Sequence, residues 1–326
     1  MNLFNINSSE IEEKYADLAH QSEAAPLLAL TYAILAAFAF IGNIALLVYI
    51  IANKLYQNFI SSHFIAHLCC TNLVALVALL PVFIYTVWTG QNLFEHSHVL
   101  CRLQALLTCT VWTVITLMAL CIAGVHLLTF ARIHYEQLFG LAPGMLCGLS
   151  WLISLCLATP AITNGHIVIY DANLRHCVWS HSDSGLKFLT YLIFLGVLLP
   201  ATFSTYAYVR VLGILYHSPI VFQSLGLYKS RFLVYAFLIS PFYQIPFYVM
   251  TILDEKDVWR TDFNAAWPSA FTFVAFTQVI VSPALYGASL FMMKEEDMAL
   301  TARTHHKVGT PGYQHVPTHT LQAQLI

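Results

Sequence analysis

Seven stretches of this chain run on without an Asp, Glu, Lys or Arg. They extend from Ala24 to Asn53, Leu55 to Phe94, Leu103 to Ala131, Gln137 to Tyr170, Phe188 to Val209, Phe232 to Leu253, and Phe263 to Met293. Each reaches the roughly 20 apolar residues that a helix needs to cross a bilayer. The pattern therefore predicts an all-α membrane protein with seven transmembrane helices. The uncharged stretch from Val211 to Tyr228 is shorter and is interrupted by His217-Ser218-Pro219, so it reads as a connection. No internal repeat of the kind found in inverted-repeat transporters is evident.

Composition narrows the class further. Of the 326 residues, 59% are hydrophobic and 9% charged, against about 25% charged in an ordinary soluble domain. That excludes a soluble enzyme, and a net charge of −2 leaves no electrostatic footprint for nucleic acid. The lipid bilayer is the first expected partner.

An odd number of spans puts the termini on opposite sides. With the N-terminus outside, the cytoplasmic set holds 8 basic and 4 acidic residues, leaving 6 basic and 12 acidic outside. That is +4 inside and −6 outside, in the direction of the positive-inside rule. Asn7-Ser8-Ser9 is an N-glycosylation sequon in the leading segment, in agreement with that orientation. The expected division is an extracellular segment 1–25, a bundle 26–293, and a cytoplasmic helix with an unstructured tail 294–326. The first span is too long for a signal-peptide core and is expected to remain as an anchor.

Cys69, Cys70, Cys109, Cys121, Cys147 and Cys156 fall within the spans, where cysteine packs as a small hydrophobe. Cys101 and Cys177 fall near the outer boundary, in an oxidising compartment. A disulfide between them would tie the third span to the loop between the fourth and fifth; the alternative is two free thiols.

Seven spans with this cysteine pair resemble the rhodopsin-like (class A) G-protein-coupled receptors, over about residues 26–303. Gly42-Asn43 is similar to the family's GN pair in span one, and Asn72 lies nine residues before Pro81 in span two. Trp151 lies nine before Pro160 in span four, and Pro200 eight before Tyr208 in span five. Tyr243-Gln244-Ile245-Pro246 resembles a degenerate CWxP, and Ser282-Pro283-Ala284-Leu285-Tyr286 resembles NPxxY. From Phe291 a short amphipathic stretch resembles the family's eighth helix. The resemblance implies a plasma-membrane receptor, coupled to a heterotrimeric G protein or an arrestin. Tail threonines (Thr301, Thr304, Thr310, Thr318 and Thr320) would be the arrestin-recruiting phosphorylation sites.

Three departures mark an atypical, orphan-like member. Twenty-five residues after Cys101, Val125-His126-Leu127 stands where the family has DRY, so the acidic residue and the arginine are both missing. His126 either substitutes in part, through hydrogen bonds, or is a packed histidine, and without the ion pair the resting state would leak. Asn72 stands where the family usually has Asp, with Ile115 on span three, so no sodium site is expected; an amide dipole does not offset dehydration of the ion. Gln244 stands in place of the toggle tryptophan and must find hydrogen bonds, with Trp112 or a polar ligand as candidates.

Pro200, Pro246 and Pro283 should kink their helices and serve as hinges. Asn43, Asn72, Gln278 and Ser282 are intramembrane polar groups expected to face one another, as static glue or as a switch. The resemblance implies that Tyr208 and Tyr286 approach each other on activation. Helical spacing from these landmarks gives a candidate ligand pocket of Thr108, Cys109, Trp112, Phe247, Tyr248, Thr251, Thr272 and Phe276. Thr108 replaces the amine receptors' Asp and Phe276 the opsins' Lys, so neither a monoamine nor a retinal Schiff base is expected.

An aromatic, uncharged cavity suits a neutral or lipid-like small molecule, whereas the acidic outer face could attract a basic peptide. In the second outer loop, His166, His176 and His181 with Asp171 and Asp183 read as solvated residues. His63, His67, His126 and His166 have no intramembrane carboxylate beside them, so no enzyme chemistry, metal or cofactor is expected. The alternative to a signalling receptor is a non-signalling protein on the same fold: a scavenger, a dimer partner or a constitutively internalising receptor.

Overall fold

The computed structural model describes residues 24–131, 133, 135, 140–164, 166–217, 230–252 and 268–308, with residues 230 and 295–308 as backbone only. Asn7, Thr310, Thr318 and Thr320 lie outside the described residues; Thr301 and Thr304 fall on the backbone-only part. Among the described residues, seven helices are long and apolar enough to cross a membrane. They are span one Pro26–Ala52, span two Ile60–Thr89, span three His98–Ala131, span four Pro143–Thr163, span five Asp183–His217, span six Arg231–Ile252 and span seven Pro268–Lys294. The protein is an all-α seven-span bundle.

Some boundaries differ from the charge-free stretches. Span five starts at Asp183, where Ser182 accepts a hydrogen bond from the Gly185 N–H at 3.2 Å and so caps the first turn. It runs past Arg210 to His217, so the first seven residues of the stretch read as a connection, 211–217, are helix. In span seven the helix resumes at Thr277 and continues without a break to Val308. The stretch after Phe291, expected as a separate short helix, is thus helical and continuous with the span, crossing the expected division at residue 294.

The prolines act differently from simple kinks. A proline inside a helix removes one N–H and leaves the carbonyl four residues earlier unbonded. In lipid such a group must find another partner. Pro200 follows a π-helical turn at Ile193–Leu198, and the Gly196 carbonyl in that turn lies 2.9 Å from the Thr116 hydroxyl of span three, whose one proton it shares with the Trp112 carbonyl at 2.8 Å. A Cβ on Gly196 would meet Thr113 Oγ1 at 3.0 Å, so the glycine is what lets the two spans come this close.

Pro283 sits within the helix of span seven, and the carbonyl it frees is that of Val279. Asn43 of span one donates to that carbonyl at 3.2 Å. Gly42 makes room, since a Cβ there would lie 3.2 Å from Pro283 Cγ. The Gly42-Asn43 pair therefore has a structural reason: one residue admits the proline ring and the other satisfies the carbonyl.

Pro246 needs a correction. It does not bend a continuous helix, because span six breaks earlier, at a 3-10 turn over Ser240–Phe242, and Pro246 is the second residue of the helix Ile245–Ile252 that follows. Span seven likewise breaks at Phe276, between Pro268–Ala275 and Thr277, rather than at Pro283.

Between spans four and five the chain forms an antiparallel hairpin, β1 Val168–Asp171 and β2 His176–Trp179, paired from Val168↔Trp179 to Asp171↔His176. Cys177 of β2 is bonded to Cys101 of span three, with Cα atoms 5.5 Å apart. The hairpin is thereby pinned over one end of the bundle.

Thr116→Val should remove this hydrogen bond between spans three and five at nearly constant volume. The expected cost is about 1–2 kcal/mol, read as a lower Tm of the detergent-purified protein. An unchanged Tm would show that the Thr116 hydroxyl does not carry this contact.

Candidate functional site

The hairpin turn determines what the disulfide-bearing end of the bundle contains. Asp171 accepts from the N–H groups of Asn173 and Leu174 at 2.8 and 3.0 Å, closing the turn as an Asx motif. Arg175 then adopts φ +55°, the left-handed region, strained for a residue with a Cβ. This reversal turns Leu174, Arg175 and His176 into the bundle, where none is more than 2% exposed.

Arg175 Nη1 donates to the Thr86 carbonyl of span two at 2.9 Å, and the Leu174 carbonyl accepts the Thr272 hydroxyl of span seven at 2.7 Å. Desolvation lowers the Arg175 pKa from its ordinary value and lifts that of nearby Tyr170 to about 12.

His176 is the centre of the cluster. Gln104 Nε2 lies 3.3 Å from its Nδ1, Thr108 Oγ1 lies 3.0 Å from its Nε2, and Gln104 Oε1 accepts from the Cys177 N–H. An amide nitrogen can only donate, so Nδ1 is the acceptor and the neutral ring carries its proton on Nε2. The ring is parallel to Trp112 (6.2 Å, 8°) and edge-on to Phe247 (5.7 Å). Trp112 in turn meets Phe247, Tyr248 and Phe276 edge-to-face at 5.0, 6.0 and 5.3 Å, the arrangement aromatic quadrupoles favour.

All eight residues expected to line a pocket are in this region and are buried to 2% exposure or less. Thr108 and Thr272 bond the hairpin, Thr251 bonds the Tyr248 carbonyl of its own helix at 2.8 Å, and Cys109 is buried one residue on from Thr108. The hairpin tip contacts three of them directly, Thr108 and Phe247 through His176 and Thr272 through the Leu174 carbonyl. His176, expected as a solvated loop residue, is wholly buried; its attachment to Cys177 carries it inward.

A polar layer lies further along the bundle. Asn72 Nδ2 donates to Asn43 Oδ1 at 2.9 Å and to Ser282 Oγ at 2.7 Å. Gln278, expected to join them, is buried but has no hydrogen-bond partner in the structure at either amide atom. His67 accepts from Trp151 Nε1 at 2.7 Å, tying span two to span four.

Towards the far end, His126 is buried with Nδ1 3.4 Å from the Tyr208 hydroxyl. Phe237 of span six stacks on Tyr208 (5.2 Å, 18°) and on Tyr286 (5.1 Å, 23°). It also lies 5.7 Å from the His126 ring. One ring thus joins residues of spans three, five and seven. Tyr208 and Tyr286 are held in one stack by an intervening side chain that the sequence reading did not identify.

Gln244 connects the two clusters. Its Nε2 donates to the Trp112 carbonyl at 3.3 Å, and it lies in the span-six break, between Phe237 on one side and Phe247 on the other. No protein-family model matches the chain, and no curated protein matches it in a sequence comparison.

Among the missed residues, one had a usable signal. Once Cys177 is bonded to span three, its neighbour His176 has to pack against that span too. Phe237 had none, since nothing distinguishes it from the other aromatic residues of span six.

Burial pushes the His176 pKa down from 6.5 to about 3. The neutral form is favoured on folding, so this contribution is present above pH 6.5 and is lost as the pH falls towards 3. The stability advantage of wild type over His176→Gln should therefore shrink across that window, measured as a Tm difference in detergent. A constant difference would show that the ring takes up its proton equally in the folded and unfolded states, so that burial does not shift it.

Proposed function

We propose that this chain is a cell-surface receptor of the seven-span type. Its N-terminus and disulfide-bearing end face outward, its far end faces the cytoplasm, and it passes occupancy of the outer cluster to a heterotrimeric G protein or an arrestin. The observation that carries this reading is the break in span six. Two aromatic clusters lie on either side of it, and Gln244 within the break is bonded to Trp112 at the base of the outer one. A helix interrupted between two packed clusters can pivot, and a bundle with two packings is what a ligand biases by binding one of them better.

The charge distribution and the resemblance to rhodopsin-like receptors support the orientation and the partner class. The missing arginine is less damaging than the sequence implied. A stack of His126, Tyr208, Phe237 and Tyr286 ties spans three, five, six and seven where the family uses an ion pair. The same substitution favours the alternative, a non-signalling protein on this fold, because His126 is buried and offers no cation to a partner.

A ligand-free G-protein dissociation panel in cells separates the two. Aromatic pairs contribute about 0.5–1.5 kcal/mol each, so Phe237→Ala, losing two stacks, should raise basal activity about tenfold. Flat traces for wild type and Phe237→Ala at normal surface expression would instead favour the non-signalling protein.

A further inference from the structure

The outer cluster already has an occupant. Three consecutive residues of the hairpin tip supply an apolar side chain, a guanidinium and an imidazole, each seated on a different part of the bundle. Leu174 is bonded through its carbonyl to span seven, Arg175 to a span-two carbonyl, and His176 to two span-three side chains. Few loop segments bury an arginine this completely, since desolvating a cation is costly without prepared acceptors. The receiving residues match the tip in kind: a backbone carbonyl for the guanidinium, an amide and a hydroxyl for the imidazole, aromatic faces for its ring.

Resting on the receptor reading above, we propose that Leu174-Arg175-His176 is the resident ligand of this pocket, a tethered basic peptide that holds the receptor in its inactive packing. The inhibitory sense follows from the opposite end. With the tip seated, Phe237 is stacked between Tyr208 and Tyr286. The Tyr216 and Tyr235 hydroxyls are 2.8 Å apart, and Arg231 lies over the Tyr216 ring while donating to the Leu215 carbonyl. Spans five, six and seven are therefore drawn together at the cytoplasmic end while the plug is in place. An external ligand must displace the tip, so it has to offer similar chemistry: a cation for the Thr86 carbonyl and a hydrogen-bonding ring for Gln104 and Thr108.

The test uses the intact chain at the cell surface and two readouts. Cys109 is fully buried one residue beyond Thr108 and neighbours Tyr248, so a small, cationic, membrane-impermeant thiosulfonate added outside reports whether the plug is seated. Two variants unseat it from opposite sides: His176→Ala from the tip and Thr108→Val, nearly isosteric, from the receiving span. Both should accelerate labelling about tenfold, with the increase abolished by Cys109→Ser, and both should raise ligand-free G-protein dissociation.

Unchanged labelling at normal surface expression would overturn the plug. Faster labelling with reduced basal signalling would overturn its inhibitory sense. Flat signalling from every variant, Phe237→Ala included, beside faster labelling would sink the signalling reading and the inhibition with it, leaving the tip as the pocket's occupant.

Discussion

A helix that crosses lipid cannot leave a backbone carbonyl bare, and in this bundle that constraint dictates which spans touch. A proline inside a span frees such a group, and an unbonded carbonyl in hydrocarbon costs several kcal/mol. Asn43 reaches across from span one for the Val279 carbonyl that Pro283 frees, and Thr116 from span three contacts the Gly196 carbonyl in the π turn before Pro200. In both places a glycine lets the donor come close enough. The polar layer that follows, Asn43 to Asn72 to Ser282, is an extension of one of these repairs. Hydrogen bonding thus fixes the mutual placement of spans one, two, three, five and seven, while apolar packing against lipid would tolerate many arrangements.

The membrane class and the seven spans were legible because they follow from where charge is absent, a property of the chain that no tertiary contact can override. The disulfide was legible from compartment and position. The gathering of Asn43, Asn72 and Ser282 was legible because amides in lipid have few alternatives to one another. Gln244 found the backbone of Trp112, one of its two expected partners.

What was not legible depended on irregular backbone. The break in span six falls at Ser240–Phe242, around Pro241 and ahead of Pro246, and helical periodicity does not say at which of two nearby prolines a helix fails. The turn at Arg175 requires a left-handed residue, and in sequence this arginine resembles a solvent-facing loop residue. The insertion of the hairpin tip among the pocket candidates was therefore not foreseen. The stack at the end of the bundle away from the disulfide was hidden for a different reason: Phe237 is one of 22 phenylalanines, and only packing singles it out. His126 likewise meets Tyr208 and Phe237 only through packing, which the chain order does not display.

The bond between Cys101 and Cys177 has a further consequence for competition. It fixes the residue next to His176 to the very helix that receives the imidazole, so dissociation of the tip is always local and rebinding is unimolecular. A tether this short keeps the departed segment at an effective concentration of about millimolar or above. A soluble molecule vying for the same contacts would therefore face a permanent rival present at every copy of the protein. Dilution and washing would leave that rival untouched; reducing the bond would be the direct way to lower its local concentration.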